Sequence, residues 1–576
     1  MRTYTEVVFS LYDVTAKGDS LPQAADIEDF CDLEQLKADT IPQLPKVATC
    51  EHNQFLLDGS MQHFPDDPQG GFWGYWSDSI SGADGRFGTP PVLILTFTQP
   101  HSSVGLTLHG YQPTGEWPAE LHLRWLGAGG ETLATRTAHP DAVDYFINRK
   151  VENYHSIVLT FLATNKPFRR VKLTGIDYGV RLTFSGPEVV SAKVVEEVDL
   201  QCNELRVNKL NLTIYSKDAF FSILNPTGAF SVLQDKQNFA VYEYLDDEPV
   251  FMGAFYLSDW SNTSDTMAVF TAISQLGLLD TAPHLGGVYD TTFGALAGDI
   301  LAGHDYEIDP ALTDIPIRGY LPIGTRRTSL QQLCMAGGAV VDCSRSDRIR
   351  LFPPPERPST LISRSRKFVG SKVTLRPLVT AVEVTAHTYT QGGAEKELCK
   401  EVMQAGDYRL TFDAPMHSYT MSGGSITGQG VNYVDFTVPE AGEVLLVGRE
   451  YIVSSSVIRR TADNIPANAE ENVLKVERAT LVSPQLADDV AQRLLNYHKR
   501  RNEVTFKMRL GKEQLADMGI VENYGNQKVR GSLESLSINL TGGNLADVKV
   551  VGERLDTSWQ YYMGEELFAG EEVGIL

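Results

Sequence analysis

The chain of 576 residues is 42% hydrophobic and 21% charged, too long for a single hydrophobic core, so about three or four domains are expected. Its 50 basic and 73 acidic residues leave a net charge of −23, which argues against a surface that grips duplex DNA by neutralising phosphates. Its six cysteines form no C-x-x-C pair and have no histidine at zinc-ligand spacing, so they read as free thiols of a reducing compartment. The start lacks a secretory pattern and no apolar run is long enough to cross a membrane.

In chain order, Thr5 to Val14 reads as a strand with Val7, Phe9 and Leu11 on one face. A polar, acidic, proline-bearing connector follows from Lys17 to Pro45, with a short helix expected at Ala25 to Leu36. From Val47 to Gly179 the composition changes to aromatics, Gly and Pro with short strands, the pattern of an independent all-β module. Its landmarks are Phe55 to Gly59, Gly74-Tyr75-Trp76-Ser77, Val92 to Phe97, Val104 to Leu108, Leu121 to Trp125, Ile157 to Phe161 and Val171 to Gly179. The Leu57-Asp58-Gly59 opening, the Trp76-Ser77 pair and the Ile176-Asp177-Tyr178-Gly179 ending resemble the discoidin-like, or coagulation factor F5/8 C-terminal, jelly roll. That resemblance implies loops at one end of a sandwich that bind sugars or lipid headgroups. Trp73, Tyr75, Trp117 and Tyr145 lie in Gly/Pro/Asp-rich segments, where an aromatic face can stack on a sugar ring. Trp76 is expected in the core, the commoner place for an aromatic in a sandwich. Asp66 and Asp67 could join a Ca²⁺ site or be solvated.

The stretch Val190 to Tyr215 reads as two strands. Val190, Ala192, Val194, Val198 and Leu200 alternate with polar residues, and only Glu196 breaks the pattern. Leu210, Leu212 and Ile214 form a second alternation, and Leu205 and Val207 fall out of its phase, which places a bulge or turn near Asn208-Lys209. Strands are also expected at Tyr242 to Tyr244, Val250 to Leu257 and Met267 to Ile273. Thr292 is placed to cap a helix carrying Phe293, Leu296, Ala297, Ile300 and Leu301, stopped by Gly303. Thr325 to Ala336 reads as a second helix ended by Gly337-Gly338, followed by a hairpin, Ala339 to Ser344 and Ile349 to Phe352.

The run Gly319-Tyr320-Leu321-Pro322-Ile323-Gly324-Thr325-Arg326-Arg327, with Leu330-Gln331-Gln332-Leu333 and Gly338-Ala339-Val340-Val341-Asp342, resembles the hub proteins of bacteriophage tail tips and baseplates, the tail-associated proteins of phages and prophages of Gram-positive bacteria. Beyond it, Pro353 to Lys367 is a boundary with Arg357, Arg364, Arg366 and Lys367, either a solvated linker or a contact with an acidic neighbour. Lys372 to Ile458 is β throughout. Ser483-Pro484 opens a helix with Leu486, Val490, Leu494 and Tyr497 buried. Leu536, Ile538 and Leu540, the turn Gly542-Gly543, then Ala546, Val548 and Val550 form a hairpin, an ending that also resembles the second barrel of the hub family.

The resemblance implies a mainly β chain with a few helices: two hub β-barrels, an inserted jelly-roll sandwich and a small α+β domain. The boundaries would be 1–46 for the first strand and connector, 47–179 for the insertion, 180–285 for the first barrel and 286–356 for the α+β domain. The second barrel would take 357–556 and an acidic tail 557–576. The strand at Thr5 to Val14 would then share a barrel with Val190 to Tyr215, and Phe9 in a separate unit would contradict that scheme. The implied function is a structural virion protein assembled in the host cytoplasm, a homotrimeric hub at the distal end of the tail. Its partners would be the distal tail protein, the tape-measure protein and tail fibres or receptor-binding proteins, with DNA only in transit and a host surface glycan as a ligand of the inserted module. No H-E-x-x-H, P-loop or G-x-S-x-G motif occurs and the histidines are scattered, so no catalytic residue, metal or cofactor is expected. A carbohydrate-binding adhesin is the alternative, and a cell-wall hydrolase a further one. Little chain follows the last hairpin, so no appended hydrolase domain is expected there.

Overall fold

The computed structural model describes residues 3–38, 41–42, 44–54, 59, 71–216, 221–222, 238–245, 248–463, 465–511, 513–523 and 527–555. Phe55 to Asp58, Asp66, Asp67 and the acidic tail 557–576 lie outside the described residues. The protein is mainly β with few helices, as expected. It divides into two compact units, one of Met1–Glu6, Ser185–Ser216 and Ala240–Leu576, the other of Val7–Phe184 and Lys217–Phe239.

In the first unit the two strands read from the sequence are Val189–Glu197 and Lys209–Tyr215. They pair antiparallel, with Ala192 opposite Leu212 and Val194 opposite Leu210. Leu210, Leu212 and Ile214 are buried, each contributing about 1.5–3 kcal/mol of apolar transfer. Simple alternation puts Val190 inward, but a register shift between Val189 and Ser191 turns Val189 in and leaves Val190 47% exposed. Asn208 marks the phase slip: its buried side chain accepts from the Glu197 N–H at 3.0 Å. Lys209–Tyr215 then pairs with Met267–Ile273, which pairs with Glu248–Ser264. Asn238–Leu245 and Thr3–Tyr12 extend the same sheet beyond Glu248–Ser264.

On its other side Val189–Glu197 pairs with Lys528–Asn539 from the end of the chain, in register from Lys193 opposite Asn539 to Glu197 opposite Ser535. Lys528–Asn539 forms the expected hairpin with Leu545–Leu555, and Asn502–Arg509 and Lys372–Leu375 complete the series. The sheet thus joins strands from both ends of this unit.

The N-terminal strand does not lie wholly in this unit. Thr5 donates to Glu243 at 2.9 Å and Tyr4 stacks on Tyr244, all four within the first unit. Phe9 instead stacks on Phe239 at 4.7 Å and contacts Phe184 and Phe221, all in the second. The division falls inside one strand, whose two halves feed different aromatic clusters, while the strand as a whole belongs to the sheet that holds Val189–Glu197 and Lys209–Tyr215.

The small α+β part follows the sequence closely. Thr292 caps the helix Phe293–Ile300 by accepting from the Ala295 N–H. Phe293, Leu296, Ala297, Ile300 and Leu301 are buried, and Gly303 leaves the helix at φ +83°. Thr325 caps Arg326–Gly337, which ends on Gly338 at φ +75°, the left-handed conformation glycine adopts at no steric cost. Val340–Asp342 and Ile349–Phe352 form the expected hairpin. The helix expected to open at Ser483-Pro484 runs over Ala487–His498, with the Ser483 carbonyl closing a lead-in turn to the Ala487 N–H. Leu486, Val490 and Leu494 are buried as expected. Tyr497 is half-buried, its hydroxyl donating to Glu534 at 2.7 Å.

Between the strands Ala381–Thr390 and Ile452–Thr461 the chain makes a separate β structure of two three-stranded sheets. One holds Glu395–Met403, Gly442–Glu450 and Met416–Ser422, the other Gly406–Thr411, Tyr433–Val438 and Ser425–Gln429. They enclose a small core of Val434, Phe436, Val438, Val444 and Leu446.

In the second unit, Leu21–Ala24, Val92–His109, Asp144–Thr164, Pro118–Leu126 and Thr132–Ala138 form one antiparallel sheet, and Tyr75–Trp76 pairs with Lys172–Leu173 in another. The two strands expected at Val92 to Phe97 and Val104 to Leu108 are one strand, bulged three times against Asp144–Thr164. The polar connector also takes part: Asp13 caps the short helix Val14–Asp19, and Leu21–Ala24 joins the sheet. Only a 3₁₀ turn, Leu33–Lys37, stands where the helix at Ala25 to Leu36 was expected.

Glu196, the residue that interrupts the alternation, is buried and faces Arg345 at 3.3 Å. Burial raises its pKa, and Arg345 counters that. Removing the guanidinium strands a buried carboxylate, so Arg345→Ala should cost about 3–5 kcal/mol in urea denaturation followed by near-UV circular dichroism. Glu196→Gln should restore most of that loss in the double variant.

Candidate assembly surface

The core face of the large sheet runs outward to an open edge. Leu533 lies opposite Val550, Val550 opposite Val504, and Val504 opposite Val373. Residues directly opposite in an antiparallel pair share a face, so these four form one apolar row. Leu533, Val550 and Val504 are fully buried, whereas Val373 is 50% exposed. Leu375, two residues on and on the same face, is 64% exposed. Among the described residues their strand, Lys372–Leu375, is the last of the sheet, and every residue in it is exposed.

The approach to this edge is also apolar. Lys367 bridges to Met508, and the Phe368 N–H donates to the Lys507 carbonyl at 2.8 Å. The chain then loops out through Val369 and Gly370, which adopts φ +114°, before rejoining at Lys372 opposite Thr505. Phe368 is half exposed and Val369 completely so.

A second open edge lies on the strand Ile452–Thr461, whose one partner strand among the described residues is Ala381–Thr390. Its first seven residues, Ile452 to Ile458, carry no charge, and Ile452, Val453 and Val457 are about half exposed or more. Monomeric sheets usually guard such edges with Lys, Pro or a bulge. The charges at its end are engaged: Arg459 binds Glu383 and Glu471, and Arg460 binds Asp488.

The basic segment is engaged within the chain as well. Arg366 pairs with Glu513, and Lys367 donates to Asn523 at 2.7 Å with its ammonium over the Phe506 ring. The Arg364 N–H donates to Glu522. Burial opposes the Glu513 charge, and Arg366 with the Gly511 N–H outweighs it, holding that carboxyl below its usual range. Of the four cations read from the sequence, Arg366 and Lys367 are thus held by side chains of the chain itself, while Arg357 and Arg364 are exposed.

In the second unit the four aromatics singled out for sugar stacking do not form one platform. Trp73 sits in a core cluster with Phe30, Val47, Trp76 and Tyr111. Tyr75 is fully buried in the main core, its hydroxyl donating to the Asp26 carbonyl. Trp117 is half-buried and donates its indole N–H to the Pro140 carbonyl at 3.1 Å. Tyr145, also half-buried, packs against the main core. Neither Trp73 nor Tyr75 therefore presents a ring face to a ligand.

What the sequence did not reveal in this unit includes ionic centres built on buried side chains. Lys172 lies 2.6 Å from both Glu51 and Glu116, under the rings of Trp76 and Tyr111. Elsewhere His109 binds Asp144 at 2.8 Å and Asp177 at 3.0 Å, and Lys17 reaches Asp177 at 2.6 Å. The partners are far apart in the chain, so no spacing motif announces them. Among the described residues no group of three or more His, Cys, Asp or Glu is arranged to hold a metal ion, and no helix is long and apolar enough to cross a membrane.

No protein-family model matches the chain, and no curated protein matches it in sequence. Among solved structures it is similar to the 43 kDa tail protein of prophage MuSo2 from Shewanella oneidensis, at 10% identity and a TM-score of 0.37, covering 64% of this chain and 95% of that one. It is similar to the prophage tail protein gp18 of Listeria monocytogenes EGD-e at 9% identity and a TM-score of 0.38, over 65% of this chain and 93% of that one. A tail protein of Neisseria meningitidis MC58 gives 8% identity and a TM-score of 0.39, over 65% and 94%.

Burial disfavours a charged His109, but its bonds to Asp144 and Asp177 prevail and raise its pKa from 6.5 to about 9. The folded state therefore binds this proton more tightly than the unfolded one. The stabilisation is complete below pH 6.5 and is lost as pH rises through about 9. Thermal melts across that window should show the loss in the wild type and a flatter profile in His109→Gln.

Proposed function

We propose that this chain is a structural component of a bacteriophage tail, the hub at its distal end. Three copies would surround the axis, continue the tail tube and anchor tip or fibre proteins, with DNA passing through the lumen. The observation that carries the reading is the apolar row Leu533, Val550, Val504 and Val373, which begins in the core and ends half exposed at Val373 on the last strand of the sheet. A subunit whose core face continues past its own edge is suited to completion by a neighbour. The motifs Gly319 to Arg327 and Gly338 to Asp342, which resemble those of tail-tip hubs, give that neighbour an identity: another copy of the chain. The excess of acidic residues fits a passage that DNA traverses without adhering.

An adhesin acting through the second unit has less support, because two of its four expected contact residues, Trp73 and Tyr75, are core. The role proposed is structural, with no catalytic step assigned.

Mass photometry and analytical ultracentrifugation of the full chain over a range of concentrations test the assembly reading. The wild type should populate trimers as concentration rises. Val373→Asp combined with Leu375→Asp should remain monomeric, with a melting temperature near that of the wild type because both residues are already exposed. Equal trimer formation by the double variant would rule this edge out as the contact.

A further inference from the structure

The Lys172 centre has the parts of a self-processing site. Lys172, Glu51 and Glu116 are each no more than 2% exposed at the side chain. The amine nitrogen Nζ lies 2.6 Å from Glu116 Oε2 and 2.6 Å from Glu51 Oε2. The two carboxylates are held differently. Glu116 Oε1 accepts two hydrogen bonds, from Arg169 Nε at 3.0 Å and from Gln54 Nε2 at 3.2 Å. Glu51 is fixed by the Arg170 N–H on Oε1 at 2.8 Å and by the Thr49 hydroxyl on Oε2 at 2.7 Å. Trp76 and Tyr111 wall the amine, with ring centroids 4.4 and 5.5 Å from Nζ.

We propose that this centre forms an intramolecular isopeptide bond between Lys172 and Glu116, with Glu51 as the proton relay. Glu51 relays a proton from the Lys172 ammonium to Glu116 Oε2, and the freed amine attacks the carbon of the resulting neutral carboxyl. Negative charge that develops on Oε1 falls on the Arg169 and Gln54 donors, the arrangement that stabilises a tetrahedral intermediate in acyl transfer. Glu51 carries the protons lost by nitrogen to Oε2, which departs as water. The ammonium and the carboxylate become one amide and one water, with no external reactant. Well-oriented intramolecular reactions reach effective molarities on the order of 10⁵–10⁸ M, and a site closed to solvent disfavours the reverse hydrolysis.

Charge balance is kept on both sides of the step. Before it, Lys172 and Arg169 offset Glu51 and Glu116. After it, Arg169 and Glu51 remain. The bond would tie the loop at Glu116 to the strand Lys172–Leu173, locking that end of the second unit covalently. This inference is independent of the hub reading.

Intact mass spectrometry of the purified full chain, followed by tandem sequencing of its proteolytic peptides, tests it. The expected result is a chain lighter than its sequence by one water, with a branched peptide joining Lys172 to Glu116. Glu51→Gln, which keeps both reacting residues, should return the full sequence mass, provided circular dichroism shows that it is folded. Folded wild-type protein that retains the full mass after prolonged incubation overturns the proposal and leaves the centre a buried ion pair. A branch at other residues, or a branch that persists in Glu51→Gln, overturns the assignment of the reacting pair or of the relay.

Discussion

The pairing of Val189–Glu197 with Lys528–Asn539 is the constraint on which the first unit depends. A strand with two partners is buried on both backbone edges, and its register must satisfy both neighbours at once. Val194 meets Leu210 on one side and Ile538 on the other. A slip of one residue would turn Ala192 and Val194 to solvent and bring lysine and serine inward. The Val198 N–H to Glu534 and the Leu540 N–H to Ala192 extend the join past both ends of the paired segment. Because the two strands are remote in sequence, closing this pairing costs loop entropy that the local hairpins on either side do not. The local hairpins are therefore expected to form first and this join to complete the sheet.

Electrostatics follows a consistent division between interior and surface. The chain is strongly acidic overall, yet several of its cations are drawn inward to serve particular carboxylates: Arg345 for Glu196, Arg366 for Glu513, Lys17 for Asp177, Lys172 for Glu51 and Glu116. Buried pairs of this kind return little net stability after desolvation, and removing one partner is expensive. They select one arrangement of strands over others. Where an exposed edge carries no charge, along Ile452 to Ile458, the usual guard against association is missing.

Much of the fold was legible wherever local chemistry decides it. Thr292, Thr325, Gly303 and Gly338 punctuate two helices as capping rules require, and the hairpin around Gly542-Gly543 follows from matched alternation. Reading failed where tertiary contacts override pattern. The bulge beside Ser191 reversed the facing of Val190, and the break at Glu196 was the mark of a buried ion pair. The polar stretch after Asp13 looked like a connector because its strand, Leu21–Ala24, is short and carries a proline, and only its pairing with Val92–His109 makes it part of a sheet. The aromatics Trp73 and Tyr75 lie in loop-like sequence but fill cores, since burying so large a ring outweighs the composition around it. The Lys172 centre draws on residues from separate segments, and no linear signal connects them. Nor does the sequence disclose the open edge at Val373, because exposure there depends on which strand is last in the sheet.

The most direct test of the central claim is electron microscopy of phage particles that carry this chain with a small gold-labelled tag. The account predicts label confined to the distal tip of the tail, on the tail axis, with reconstruction of the tip giving three copies around it. Label along the tail shaft, on the capsid or absent from the particle would contradict it.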